Sequence, residues 1–192
     1  MEPTLATTMT RLDARALRIL AHPLRSRLLT ALRFDGPATA TSLARSLDTN
    51  TGATSYHLRR LAAAGLVEEA EGGHGRERLW RASTESHSWT ERDLAGDPDG
   101  QAASDWLRRQ YLGSFVDGYE RWLEVQKDWP IEWRAAAESI DAAVRVTPDD
   151  LTALLGELTA LFERYRDPRP DDPVAERVQL FVHTVPVAAL RR

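Results

Sequence analysis

The stretch that most restricts how this chain can fold lies between residues 41 and 82. Leu43, Ala44 and Leu47 share one side of a short helix over residues 41–47. Asp48-Thr49-Asn50 is too polar and too short to be more than a tight turn. A second helix over residues 51–64 follows, anchored by Leu58 and Leu61 and stopped by Gly65. Two β-type runs, residues 66–69 and 77–82, then flank Glu71-Gly72-Gly73-His74-Gly75, a glycine-rich hairpin tip. Two helices crossing at a tight turn and backed by a short ribbon define a helix-turn-helix with a wing.

Two further helices precede this unit. Leu12, Ala16, Ile19 and Leu20 recur at helical spacing up to His22-Pro23, where proline can only open a new helix. Residues 23–34 form that helix, with Leu24, Leu28, Leu29 and Leu32 as its apolar stripe and Asp35-Gly36-Pro37 as its stop. The domain reading is a flexible N-terminus (1–10), a winged helix-turn-helix (11–83), a Ser/Asp/Gly/Pro-rich linker (84–102) and a C-terminal region (103–192). In the last, a long aromatic-rich helix over residues 103–128 is interrupted by Pro130. Thr147-Pro148-Asp149-Asp150 opens an amphipathic helix to residue 166, its acids complementing the helix dipole. Residues 142–146 and the alternating run 178–187 are expected to pair as two short strands. The fold class is therefore mainly α with a small β component.

Composition narrows the function. There is no cysteine, which removes disulfides, thiolate metal sites and thiol redox sensing. No apolar run approaches the roughly 18 residues of a membrane span, and no signal peptide is visible, so the expected location is the cytoplasm. The net charge of -4 is unevenly divided. Residues 1–90 carry 12 Lys/Arg against 9 Asp/Glu, and the remainder carries 13 against 20. Affinity for nucleic acid depends on local phosphate neutralisation, so the basic half can bind DNA while the acidic half stays away.

At 100° per residue, Leu58, Leu61, Thr54 and Ala62 face the core side of the second helix. Gly52, Ala53, Tyr56, Arg59, Arg60 and Ala63 face outward, with Ser55 and His57 on the flanks. The outward face holds small, hydrogen-bonding and cationic groups and no carboxylate, which suits insertion into a major groove. The expected DNA-contacting residues are Thr51, Ala53, Thr54, Ser55, Tyr56, His57, Arg59 and Arg60, with Arg76 and Arg78 of the wing on phosphate or in the minor groove.

Three ordered motifs carry a family likeness: Leu20-Ala21-His22-Pro23-Leu24-Arg25, Thr54-Ser55-Tyr56-His57-Leu58-Arg59-Arg60-Leu61 and Ala64-Gly65-Leu66-Val67. Together they resemble the winged helix-turn-helix of the ArsR family over about residues 11–83. The resemblance implies DNA contact by Ser55, His57, Arg76 and Arg78, and a homodimeric repressor on an inverted repeat. Many members of that family sense metals through cysteines. This chain has none, so metal sensing is not carried over.

Other side chains receive plainer readings. His22 caps the second helix, His74 is a polar wing residue, and His183, alternating with Phe181 and Val185, is half-buried structure. Trp106, Tyr111, Phe115, Tyr119, Trp122, Trp129 and Trp133 form core and dimer interface, with a small-molecule effector pocket as the sharper alternative. No phosphate loop, nucleophile elbow or scaffolded acid pair points to an enzyme, and no cofactor is implied. The competing functional class is a winged-helix module that docks another protein, since fold does not fix function.

Overall fold

A computed structural model describes residues 9–72, 78–84, 86–166 and 172–191. The chain divides into two compact units, Met1–Gly113 and Ser114–Arg192.

In the first unit, β1 (Met9–Arg11) leads into α1 (Ala14–Leu20) and α2 (Pro23–Phe34). Asp13 starts α1 by accepting the Ala16 N–H at 2.7 Å. His22 caps α2 as expected, its Nδ1 accepting from the Leu24 N–H at 3.2 Å with Pro23 in the first turn. Next come β2 (Ala38–Thr39), α3 (Ala40–Ser46), α4 (Thr51–Ala62), β3 (Val67–Ala70) and β4 (Leu79–Ala82). The three strands form an antiparallel sheet in the order β2-β4-β3, with Ala38 opposite Trp80 and Val67 opposite Ala82. This is the winged helix-turn-helix. The expected wing tip, including His74 and Arg76, lies outside the described residues.

The expected linker is instead built structure. β5 (Ser86–Ser88) pairs in parallel with β1, placing Thr10 opposite His87, so residues 9 and 10 of the expected flexible N-terminus are strand. A 3₁₀ turn at Glu91–Leu94 follows, and α5 (Pro98–Val125) begins within the supposed linker. The polar composition that suggested a linker is capping chemistry. Thr90 and Asp93 bond reciprocally at the turn, and Asp97 accepts the Gly100 N–H at 2.9 Å.

One apolar core serves this unit. Leu12, Leu17, Leu20, Leu28, Leu58, Leu61, Leu94 and Leu107 are essentially inaccessible, with Val67 and Trp80 from the wing strands. Helices 1, 2 and 4 therefore share their stripes with the wing and with the first turns of α5. A polar network lies alongside. The Arg33 guanidinium lies 3.2 Å from His87 Nδ1, and Tyr111 Oη lies 2.8 Å from Nε2. Arginine can only donate, so Nδ1 accepts and the ring's proton sits on Nε2, facing the tyrosine oxygen. Burial, then the Arg33 charge, lower the His87 pKa to about 3. Burial pushes Tyr111 up to about 12.

The second unit contains the rest of α5, α6 (Ile131–Ala136) and α7 (Pro148–Tyr165). Thr147 and Asp150 form the reciprocal cap that opens α7. The expected strand pair over residues 142–146 and 178–187 is absent: both are irregular, with Val144, Val178, Leu180 and Val185 exposed. Alternation gives a strand only where a sheet face is covered, and here nothing covers one. His183 is likewise exposed rather than half-buried, though its ring lies 6.0 Å from Phe181. Phe115 packs on Phe181 at 4.8 Å, and Trp129 meets both Trp122 and Trp133. Among the described residues, none in this unit is buried.

Candidate nucleic-acid interface

The two helices of the motif are set by local chemistry. Thr39 and Ser42 make a reciprocal cap at the start of α3, which ends at Leu47. Asp48 then adopts a left-handed backbone (φ 49°), a conformation that short polar side chains tolerate. This reverses the chain within a few residues. Asn50 accepts the Ala53 N–H at 2.8 Å and starts α4 at Thr51. At the far end Gly65 (φ +70°) closes α4, with the Leu66 N–H donated to the Leu61 carbonyl at 3.1 Å.

The outward face of α4 matches the expected register. Thr51, Gly52, Tyr56, Arg59, Arg60 and Ala63 are exposed, and Ala53 and Ser55 are half-buried beside them. Tyr56 is 52% exposed, so its ring and hydroxyl are open to a partner. Arg59 donates from Nε to the Ser55 carbonyl at 3.1 Å, which aligns its guanidinium along the helix. No acidic residue occurs in α4.

Thr54 is a correction. It is fully buried and donates its hydroxyl to the Asn50 carbonyl at 3.0 Å, so it fastens the turn and cannot reach a groove. The helical wheel had already placed it on the core side. His57 is half-buried, its ring 4.4 Å from that of His22, and its Nδ1 is enclosed without a hydrogen-bond partner. Burial, then His22 and Arg25, lower the His57 pKa, and burial followed by Arg25 does the same for His22. Both rings therefore resist protonation where the start of α2 meets α4.

In the wing, Arg78 is ion-paired to Glu69, and Arg81 to Glu68 at 2.7 Å across the β3–β4 register. Such exposed pairs are worth at most about 1 kcal/mol, so a phosphate can compete for either arginine. Arg76 lies outside the described residues. The residue that motif reasoning passed over is Arg25. It appears in the Leu20–Arg25 motif, but only the fold reveals that its charge acts on both Arg60 and His57.

Fold and site together define a winged helix-turn-helix with an exposed, carboxylate-free second helix. Residues 20–70 match the family model described as a helix-turn-helix domain. No curated protein matches the chain. Among solved structures, it is similar to reduced HlyU from Vibrio cholerae at 22% identity, over 50% of this chain and 85% of that one, with a TM-score of 0.34. A fragment of a possible transcriptional regulatory protein from Mycobacterium bovis aligns at 24% identity over 48% and 89% of the two chains (TM-score 0.33). A possible transcriptional regulator for arsenical resistance aligns at 31% identity over 59% and 95% (TM-score 0.32).

No helix among the described residues is long and apolar enough to cross a membrane. Nor do any three His, Cys, Asp or Glu among them gather as a metal site would require.

Proposed function

We infer that this chain is a DNA-binding transcription regulator of the cytoplasm, of ArsR type, acting as a homodimeric repressor rather than as an enzyme. The observation that carries the reading is the exposed face of α4, which offers Thr51, Tyr56, Arg59 and Arg60 with no carboxylate among them. In an otherwise acidic chain such a face favours phosphate as its neighbour. Ala53 and Ser55 allow close approach to base edges, and the wing arginines reach the flanking backbone. The dimer is supported by the second unit, where Leu112's neighbours along α5, Val116, Tyr119 and Leu123, are exposed without any core to join. An effector would act by binding two spacings of the paired heads unequally.

The test is selection of genomic fragments by the purified full chain at near-physiological salt, followed by sequencing. An enriched inverted repeat with half-sites about ten base pairs apart is the expected result. A protein-docking module would instead enrich no sequence, and its partner affinity would lack the steep salt dependence of phosphate contacts.

A further inference from the structure

Beside the reading face lies a cleft that the motif does not account for. It is lined by Arg15, Arg18 and Ile19 of α1, Arg25 of α2, and Arg60 and Ala63 at the end of α4. Four arginines thus line one concave surface. Only one is neutralised there: Arg18 bonds Asp97 at 2.5 Å. Arg15 and Arg60 are exposed and have no ion pair among the described residues. Arg25 is half-buried, and its Nε is donated to the Ile19 carbonyl, so its terminal nitrogens are held in place. Burial and the nearby Arg60 charge both disfavour its cationic form.

The charges of Arg15, Arg25 and Arg60 repel one another, and no carboxylate stands among the residues that line the cleft. A tetrahedral oxyanion reverses that balance. Its oxygens accept from two or three guanidinium forks at once, and one pre-positioned arginine reduces the ordering cost. We propose that this cleft is a phosphate site and, resting on the DNA-binding reading above, that it takes a backbone phosphate flanking the bases read by α4. Arg60 then belongs to both surfaces: it ends the reading face and begins the backbone clamp, with Arg15 and Arg25 completing the clamp from α1 and α2.

Two measurements on the full chain test this separately. In the first, inorganic phosphate is titrated against chloride at equal ionic strength while the arginine Nε–H resonances are followed by NMR. Saturable shifts shared by Arg15, Arg25 and Arg60 are expected with phosphate alone. In the second, Arg15→Ala is compared with wild type in DNA binding across a salt series. Arg15 is exposed and alanine suits a helix, so the fold should be unaffected. The expected result is a salt slope lower by about one and affinity weakened equally for all sequences, with sequence preference intact. Linear shifts identical in chloride would overturn the phosphate site. Saturable phosphate binding with an unchanged DNA slope in Arg15→Ala would overturn the backbone assignment, because the phosphate would then belong to a free ligand. A wild-type chain that binds no DNA would sink the regulator reading, while the phosphate titration would still decide the site.

Discussion

At His87 a neutral imidazole is wedged between the Arg33 cation and the Tyr111 hydroxyl, and its pKa of about 3 measures how strongly that place refuses a second proton. In the unfolded chain the ring titrates near 6.5. Between pH 6.5 and about 3 the unfolded state therefore binds a proton that the native state does not. Stability is full above 6.5 and falls as the pH drops through that window, by up to about 1.4 kcal/mol per pH unit. His87→Gln keeps hydrogen-bonding groups without a titrating ring, so denaturant titrations over this range should show a shallower slope. Parallel slopes in the two proteins would count against the account. Arg60→Ala on the reading face and Arg76→Ala in the wing should each weaken DNA binding, with circular dichroism and oligomeric state unchanged. If both variants bind like wild type, α4 and the wing are not the contacting surfaces. Thr54 carries a different lesson. It falls within the stretch of α4 expected to contact DNA, although the wheel sets it on the core side; it is buried, as the wheel has it.

The elements that were legible in the sequence are those whose signals are local. Pro23 at the start of α2, Gly65 at the end of α4 and Thr147 before α7 each mark a boundary through one residue's backbone or hydrogen-bonding preference. β1 and β5 were not legible, because each is three residues long and neither alternates; they exist only through pairing across the unit. The failed strand pair near the C-terminus is the reverse case, with alternation present and no covering layer. Among the local signals, Asn50 is the one that fixes where the reading helix begins. Asn50→Ala should lower stability by about 1 kcal/mol and leave the midpoint transition cooperative. Leu58→Ala, which empties a fully buried site in the same helix, should cost about 2–5 kcal/mol. Equal losses in urea unfolding would mean that the cap and the core are not separable contributions.

Across the whole molecule, burial is confined to one unit. Every buried side chain among the described residues lies between Leu12 and Leu107, inside the unit that ends at Gly113. A fragment of residues 1–113 should therefore unfold cooperatively at close to the midpoint of the full chain. Loss of cooperativity in differential scanning calorimetry would show that the remaining residues are needed for its stability. The same fragment should be monomeric by sedimentation if the second unit makes the dimer. Sequence reading divided the chain at the polar stretch 84–102, whereas the division falls within α5. Composition registers polarity, and in that stretch polarity serves caps and an interior hydrogen-bond network.

The parallel pairing of β1 with β5 has a consequence in time. Thr10 meets its partner His87 only after the intervening residues exist, and Leu94 and Leu107 complete the same core. During synthesis from the N-terminus, the apolar side of α1 must wait for most of the unit to emerge before it is covered. A strand made well before its partner is thus secured late, and a chain stalled before residue 88 would present Leu12, Leu17 and Leu20 to whatever chaperone or protease reaches them first.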